Sequence, residues 1–476
     1  MLLEKTWPLY LGDDAVYKFP HVISQSNRYQ HTWVLGQTGT GKSTWLRQCF
    51  MQDVLAGRGG CYFDFHGTDA PWILDRIPKE RIQDVTYFDP LSRDYAVGFN
   101  PLDGIAADQH DLYALELVAM LRNFFPRESW GGQLNDILTT TFHALLQLPG
   151  EQRGTLVGAV EFLTNEMYRN YVLSHCREEA IVKFWKQEYK GWSVNRRKDA
   201  LASSTNKIRT FQSSPYLRNI LSQQKSGLDL RRAIAKQGIV IFNINRFYLG
   251  AFHSDILASL ILSRLIYEGK TRVMPTERDR VVEELCPGFH VFIDEFHYLG
   301  TLATADALSG IRSKKISFMV AHQHTDQLKP EVYRAIKGNA STKVVFRVGS
   351  DDADKLQKVV ETTNPKNLSG QPDYQFYLHY KSGKGVQTAR SATPQISFEE
   401  TGVASSIIRY SNSMHAKPVA DVEARYQHWI GSPLYGALPT RRPSPRPAGR
   451  TGQKEKKTSG QMRPVGAIML DRIGAG

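Results

Sequence analysis

Two hydrophobic rhythms divide this chain. From about Asp108 to Ala235 apolar residues return every three to four positions, in "DLYALELVAM", "LNDILTTTFHALLQL" and "VGAVEFLTNEMYRNYVL". That is the period of helices with one buried face, and turn signals such as "LPGEQRG" cut it into helices of ordinary length. On either side the apolar residues come instead in short runs. "TWVL" (Thr32–Leu35), "CYFDF" (Cys61–Phe65), "GIVIFNI" (Gly238–Ile244), "FHVFID" (Phe289–Asp294), "ISFMVAHQ" (Ile316–Gln323) and "TKVVFRVG" (Thr342–Gly349) read as strands, with "DVTYFDP" and "AVGFNPLDG" as shorter ones. Continuous apolar runs alternating with amphipathic helices such as "SDILASLILSRLIYEG" predict a mostly parallel sheet covered on both faces. The pattern as a whole predicts an α/β domain into which an all-α module is inserted.

The first strand runs into "GQTGTGKST", Gly36 to Thr44, and then into the helix-like "STWLRQCFMQDVLA". Gly36, Gly41, Lys42 and Ser43 fill the fixed places of G-x-x-x-x-G-K-[ST]. Strand, loop and helix in that order are the context in which backbone N–H groups turn inward on phosphates, the lysine adds a point charge and the hydroxyl ligates Mg²⁺. Gly36, Gln37, Thr38, Gly39, Thr40, Gly41, Lys42, Ser43 and Thr44 are therefore the expected nucleotide-binding residues, with ATP and Mg²⁺ as cofactors. The fold class that follows is a P-loop NTPase of RecA-like type.

A second acidic element completes such a site. "HVFIDEFHYLG" sends a buried strand into Asp294 and Glu295, and the carboxyl ends of strands are where parallel sheets place ligands. Asp294 is expected to hold Mg²⁺, and Glu295 to act as general base toward the attacking water. An exposed acidic pair at a strand end is the bland alternative. Gln323, ending the next strand, is the candidate sensor of the γ-phosphate. Arg312, in "LSGIRSKKIS", is the candidate cation reaching a neighbouring subunit's site. Lys314 and Lys315 beside it are candidate DNA contacts, against the plainer reading of a solvated turn.

The order and spacing of these motifs resemble the hexameric motor ATPases of the FtsK/HerA superfamily, and most closely the TraG/TraD-like coupling proteins of conjugation and type IV secretion. The resemblance runs from about Thr32 to Asp354. It includes "GQTGTGKST", "FDFHGTD", "VTYFDP", "VGFNPL", "NKIRTFQSSPYLRNIL", "FIDEFHYLGT", "ISFMVAHQHTDQL" and "IKGNASTKVVFRVGSDDA". It implies a ring of six subunits with ATP at their interfaces, moving DNA through a central channel. It also places Arg312 on the family's trans-acting arginine, Gln323 on its sensor glutamine and Asp64 near the metal, although Phe65 stands where the family usually has proline. The all-α module corresponds to the family domain associated with recognising the relaxosome or the transferred substrate. Expected partners are DNA, further copies of the chain, and a relaxase, secretion-channel or membrane-anchor protein. The alternatives are a nucleotide-gated ring scaffold and, from "DEFH", a superfamily-two-like helicase.

The expected organisation is a short β-rich lead-in (1–30), the first part of the nucleotide-binding domain (31–107), the inserted all-α domain (108–235), the second part with the acidic pair and sensor (236–435), and a basic tail (436–476). Composition refines this only at the edges. Of the net charge of +13, the stretch Arg441–Arg463 holds +7, eight basic residues against Glu455, so the folded body is only mildly basic. Nucleic-acid binding cannot be argued from total charge alone. The Pro-, Arg-, Lys- and Ser-rich tail buries too little to fold by itself, and reads as a DNA-gripping arm, a docking peptide or an end without fixed role. No apolar run approaches the roughly 20 residues that span a bilayer. With barely thirty residues before the phosphate loop, the expectation is a cytoplasmic protein, docked at the inner membrane face, if at all, through a partner. Cys49, Cys61, Cys176 and Cys286 show no C-x-x-C spacing and are expected as buried, reduced thiols; His322 and His324 lack metal-ligand spacing.

Overall fold

The computed structural model describes residues 7–274, 286–299, 302–362, 364–382 and 385–431. The basic tail and its readings lie outside the described residues. In chain order the strands are β1 (Leu9–Asp14), β2 (Pro20–Ile23), β3 (Thr32–Leu35), β4 (Gly59–Asp64), β5 (Val85–Phe88), β6 (Tyr95–Val97), β7 (Ile239–Asn243), β8 (Phe289–Ile293), β9 (Ile316–His322), β10 (Thr342–Val345), β11 (Gln375–Ser382), β12 (Gly385–Ala392) and β13 (Ala416–Pro418).

Eleven of them form one sheet, in the order β2-β1-β12-β11-β10-β3-β9-β8-β4-β7-β5. The seven strands from β10 to β5 are parallel. From β10 outward the pairing turns antiparallel through β11, β12, β1 and β2. The lead-in strands thus extend the main sheet. The hairpin β11–β12 was not foreseen, because "GVQTARSA" in β12 has a mostly exposed or half-exposed face and gives no apolar run.

Side-chain alternation divides the core into two layers. Trp33 and Leu35 of β3 with Cys61 and Phe63 of β4 enter one apolar cluster, shared with the helical region. Val34 and Tyr62 point the other way, into a cluster with Trp45, Phe50 and Phe292. Between β6 and β7 the described residues are helical or irregular only, from His110–Arg122 to Leu230–Lys236. The long run expected as one helical stretch is broken at Asn165, whose side chain accepts from the N–H groups of Met167 and Tyr168 and starts a new helix, Glu166–His175. The chain then closes on itself: β13 pairs with β6, and Tyr426 and Trp429 of the last helix pack against the helical region.

All four cysteines are free, and Cys49, Cys61 and Cys286 are buried as expected; Cys176 is half-buried, a correction for that thiol. His322 is also structural. Its Nε2 accepts from Trp33 Nε1 at 2.7 Å while Nδ1 faces the His324 carbonyl at 2.9 Å. Among the described residues no helix is long and apolar enough to cross a membrane.

Candidate nucleotide site

The site lies at the carboxyl edge of the parallel strands. β3 leads into the loop, and the helix Lys42–Leu55 leaves it with Gly41 as its first, left-handed residue (φ 105°). Two glycines of the loop are irreplaceable on geometry. A Cβ on Gly36 would stand 2.5 Å from the Cβ of Phe346, and one on Gly41 2.7 Å from the ring of Tyr374. Lys42 is buried beneath the loop, its amine donating to the Gln37 carbonyl at 3.1 Å. Burial lowers the Lys42 pKa, against the pull of Asp294 and Glu295.

The acidic strand β8 is not β3's neighbour: β9 lies between them. Across that gap Ser43 Oγ donates to Asp294 Oδ2 at 2.5 Å, joining residues 251 apart in sequence. Asp294 is 3% exposed, and burial together with the Glu295 charge pushes its carboxyl up, against the Ser43 hydrogen bond and Lys42. A hydroxyl and a carboxylate facing each other beside the lysine are hard oxygen donors of the kind that suits Mg²⁺.

Glu295 has a left-handed backbone (φ 53°), which turns its carboxylate back toward the neighbouring strand ends. Its Oε1 accepts from Gln323 Nε2 at 2.7 Å and faces His66 Nε2 at 3.4 Å. Oε2 is buried with no hydrogen bond, 3.4 Å from His297 Nδ1. Burial alone would raise this carboxyl; His66 and Gln323, with His297 and Lys42 nearby, outweigh it and hold the pKa below the ordinary glutamate value. The glutamate is therefore ionised, with one oxygen held and the other without a hydrogen bond. Gln323 in turn accepts from Thr38 Oγ1 at 3.1 Å, so one amide connects the phosphate loop to the acid.

Asp64, expected near the metal, is engaged by backbone on both oxygens. Its Oδ1 accepts the N–H groups of His66 and Gly67 at 3.0 and 2.8 Å, and its Oδ2 those of Asp69 and Ala70 at 2.9 and 2.8 Å. A carboxylate with its lone-pair directions occupied in this way holds the following loop in place. That loop presents His66 to Glu295. His66 itself was missed by sequence reasoning; the signal for it was the "FDFHG" turn at a strand end beside the acidic strand.

Arg312 is not brought to the loop. It is exposed in the turn Ile311–Lys314 before β9, at the opposite edge of the sheet from Gln323. Seven residues of strand, about 23 Å, separate the two edges. Lys314 lies in the same turn, clasped to Arg272: its amine donates to the Arg272 carbonyl at 2.8 Å, and Arg272 returns a bond to the Lys314 carbonyl at 3.2 Å. Lys315 follows with a left-handed backbone (φ 54°), and its carbonyl accepts from the N–H of Phe289.

A phosphate loop, an acidic pair one strand removed and an inserted helical region define a P-loop NTPase. Residues 288–364, which carry the acidic pair and Gln323, match the family described as the TraM recognition site of TraD and TraG. Over this segment the chain is similar to the TraG/TraD coupling proteins. Solved structures share the fold. The plasmid coupling protein TrwB in complex with the GTP analogue GDPNP is 16% identical, covering 83% of this chain and 91% of that one, with a TM-score of 0.58. TrwB with ADP and Mg²⁺ is 16% identical over 80% and 90%, TM-score 0.57. VirB4 of Thermoanaerobacter pseudethanolicus is 13% identical over 82% and 96%, TM-score 0.54. No curated protein matches the chain.

Proposed function

We propose that this chain is an ATP-driven DNA translocase of the coupling-protein kind, working as a ring, most simply a hexamer, with hydrolysis at subunit interfaces. The observation that carries the reading is the placement of Glu295: held at Oε1 by Gln323 and faced there by His66, without a hydrogen bond at Oε2, and one strand away from a lysine-bearing phosphate loop. Gly36 to Thr44 would hold the phosphates through backbone N–H groups, with Lys42 on the β- and γ-phosphates. Ser43 and Asp294 would hold Mg²⁺, which supplies charge neutralisation on the triphosphate. Glu295 Oε2 takes the proton of the attacking water, and Gln323 keeps the carboxylate aimed. Arg312 lies too far from its own loop to assist there, so its role is on the neighbouring subunit's site; Lys314 and Lys315 on the same edge are assigned to DNA. TrwB structures hold ADP with Mg²⁺ and a GTP analogue, which supports the same cofactors here. The TraM-recognition description of 288–364 supports a protein partner.

The helicase alternative is disfavoured, because among the described residues every strand outside the β6–β13 pair belongs to a single sheet, leaving no second motor domain. The test is Glu295→Gln. It keeps the shape and the Gln323 contact, so ATP affinity should stay within about threefold while DNA-stimulated turnover falls by two orders of magnitude or more. Undiminished turnover would remove Glu295 as the base, and nucleotide-dependent assembly without DNA stimulation would favour the scaffold.

A further inference from the structure

Beside the phosphate loop, on the side of the helix Lys42–Leu55, stands an aromatic residue that the motif does not include. Tyr374 occupies the third place of the turn Pro372–Gln375, closed by Gln375 N–H to the Pro372 carbonyl at 3.3 Å. Its φ is 61°. That place in a turn belongs to glycine or asparagine when φ is positive, and a bulky side chain there is held against about 1 kcal/mol or more of backbone strain. Two hydrogen bonds hold it. The Tyr374 N–H donates to the Thr40 carbonyl inside the phosphate loop at 2.9 Å, and its carbonyl accepts from the Thr393 N–H at 2.7 Å. The ring lies against Gly41, where a methyl group would come within 2.7 Å of it, yet the residue is 53% exposed. One part of the ring touches the loop and the rest faces solvent.

We propose that Tyr374 is the stacking platform for the base of the bound nucleotide, an inference that rests on the nucleotide reading of the loop. A triphosphate lying along Gly36–Ser43 with its metal at Ser43 and Asp294 directs its nucleoside past the start of the helix, which is where the ring stands. The platform is preorganised: its backbone is bonded to the loop it serves, so little freedom is lost when a base arrives. The charged residue of the turn, Asp373, is paired with Arg347 at 2.7 Å. The base is thus read by its face rather than its edge. The ligand class is purine nucleoside di- and triphosphates, adenine and guanine alike, with pyrimidines weaker because they offer a smaller face.

The experiment compares ATP, GTP, CTP and inorganic tripolyphosphate, each with Mg²⁺, on the full chain and on Tyr374→Phe, Tyr374→Ala and Tyr374→Gly. Stacking on one aromatic side chain predicts ATP and GTP binding weakened about tenfold in the Ala and Gly variants, near-parental in the Phe variant, and tripolyphosphate binding unchanged in all. ATP and GTP should bind the parent within about threefold of each other. Thermal stability separates this from misfolding, since Tyr374→Gly relieves the strained φ and should melt no lower than the parent. Unaltered ATP affinity in the Ala and Gly variants, or a parent that binds tripolyphosphate as tightly as ATP, would overturn the platform while leaving the loop's reading intact. A parent that binds neither would overturn both.

Discussion

Replacing Asp64 with asparagine separates a loop-holding acid from a metal-holding one. The carboxylate accepts four backbone N–H groups between 2.8 and 3.0 Å, and the residue is 3% exposed. Asparagine keeps one accepting oxygen and turns an NH₂ group toward the two amides served by the other. Two bonds to a charged acceptor are lost, each worth about 1.5–3 kcal/mol, and two buried donors are left facing a donor. A destabilisation of about 3–6 kcal/mol follows, a lowering of the melting temperature by roughly 3–6 °C in a chain of this size, whose unfolding entropy is on the order of 1 kcal/mol/K. The assay pairs a thermal melt with ATP binding titrated against Mg²⁺. The melt should fall, and the Mg²⁺ concentration giving half-maximal ATP binding should stay within twofold of the parent below the melting range. A stable Asp64→Asn protein whose Mg²⁺ requirement rose tenfold would refute the argument and restore Asp64 to the metal.

Two further outcomes follow from the same geometry. His66→Ala removes one of the two side chains at Glu295 Oε1, and its ring is more than half exposed, so turnover should fall about three- to tenfold with KM for ATP and the melt little changed. His66→Gln should restore part of the loss, and steady-state kinetics with a melt would show whether instead KM or stability moves. His31 and His322, with burial pushing both pKa values down to about 4, make stability depend on acid. Each is neutral when folded but binds a proton in the unfolded chain below its ordinary value near 6.5. Their contribution is fully present above pH 6.5 and is lost as pH falls toward 4, on the order of 3 kcal/mol each. Urea midpoints should decline through that window, and more gently in His31→Gln.

The strands that carry the site were legible because each announces itself with four to seven buried residues and ends in a chemically distinctive one. β3, β8 and β9 end at Leu35, Ile293 and His322, directly before Gly36, Asp294 and Gln323. The all-α region was legible from its period. The antiparallel half was legible only as a β-rich lead-in. β12 packs few side chains, and β1 joins it through a long-range pairing that leaves no local trace. His66 and Tyr374 were invisible for a related reason: both act through turns whose partners, Glu295 for one and Gly41 for the other, lie more than two hundred residues away in sequence. The contacts of Asp64 were not legible, because a family position gives a residue type and not the donors that the following turn aims at it.

The strand inserted between β3 and β8 explains why Gln323 matters more than a polar strand end would. Loop and acid sit on strands that do not touch; beside the Ser43–Asp294 bond, the link to the base itself runs over the end of β9, where Gln323 accepts from Thr38 with its oxygen and donates to Glu295 with its nitrogen. An amide flipped end for end would set its oxygen against the Glu295 carboxylate, which only accepts, so Glu295 fixes which way the amide faces and the Thr38 hydroxyl, able to donate or accept, donates to the oxygen left to it. Thr38→Val removes that hydroxyl at nearly constant volume. The bond is exposed and worth about 1 kcal/mol, so kcat should fall about three- to fivefold while ATP affinity, carried by the backbone and Lys42, holds. Thr38→Ser keeps the hydroxyl and should retain parental turnover. If serine and valine slowed the reaction equally, the methyl group rather than the hydrogen bond would be what the loop requires, and Gln323 would lose its place as the link between phosphate and base.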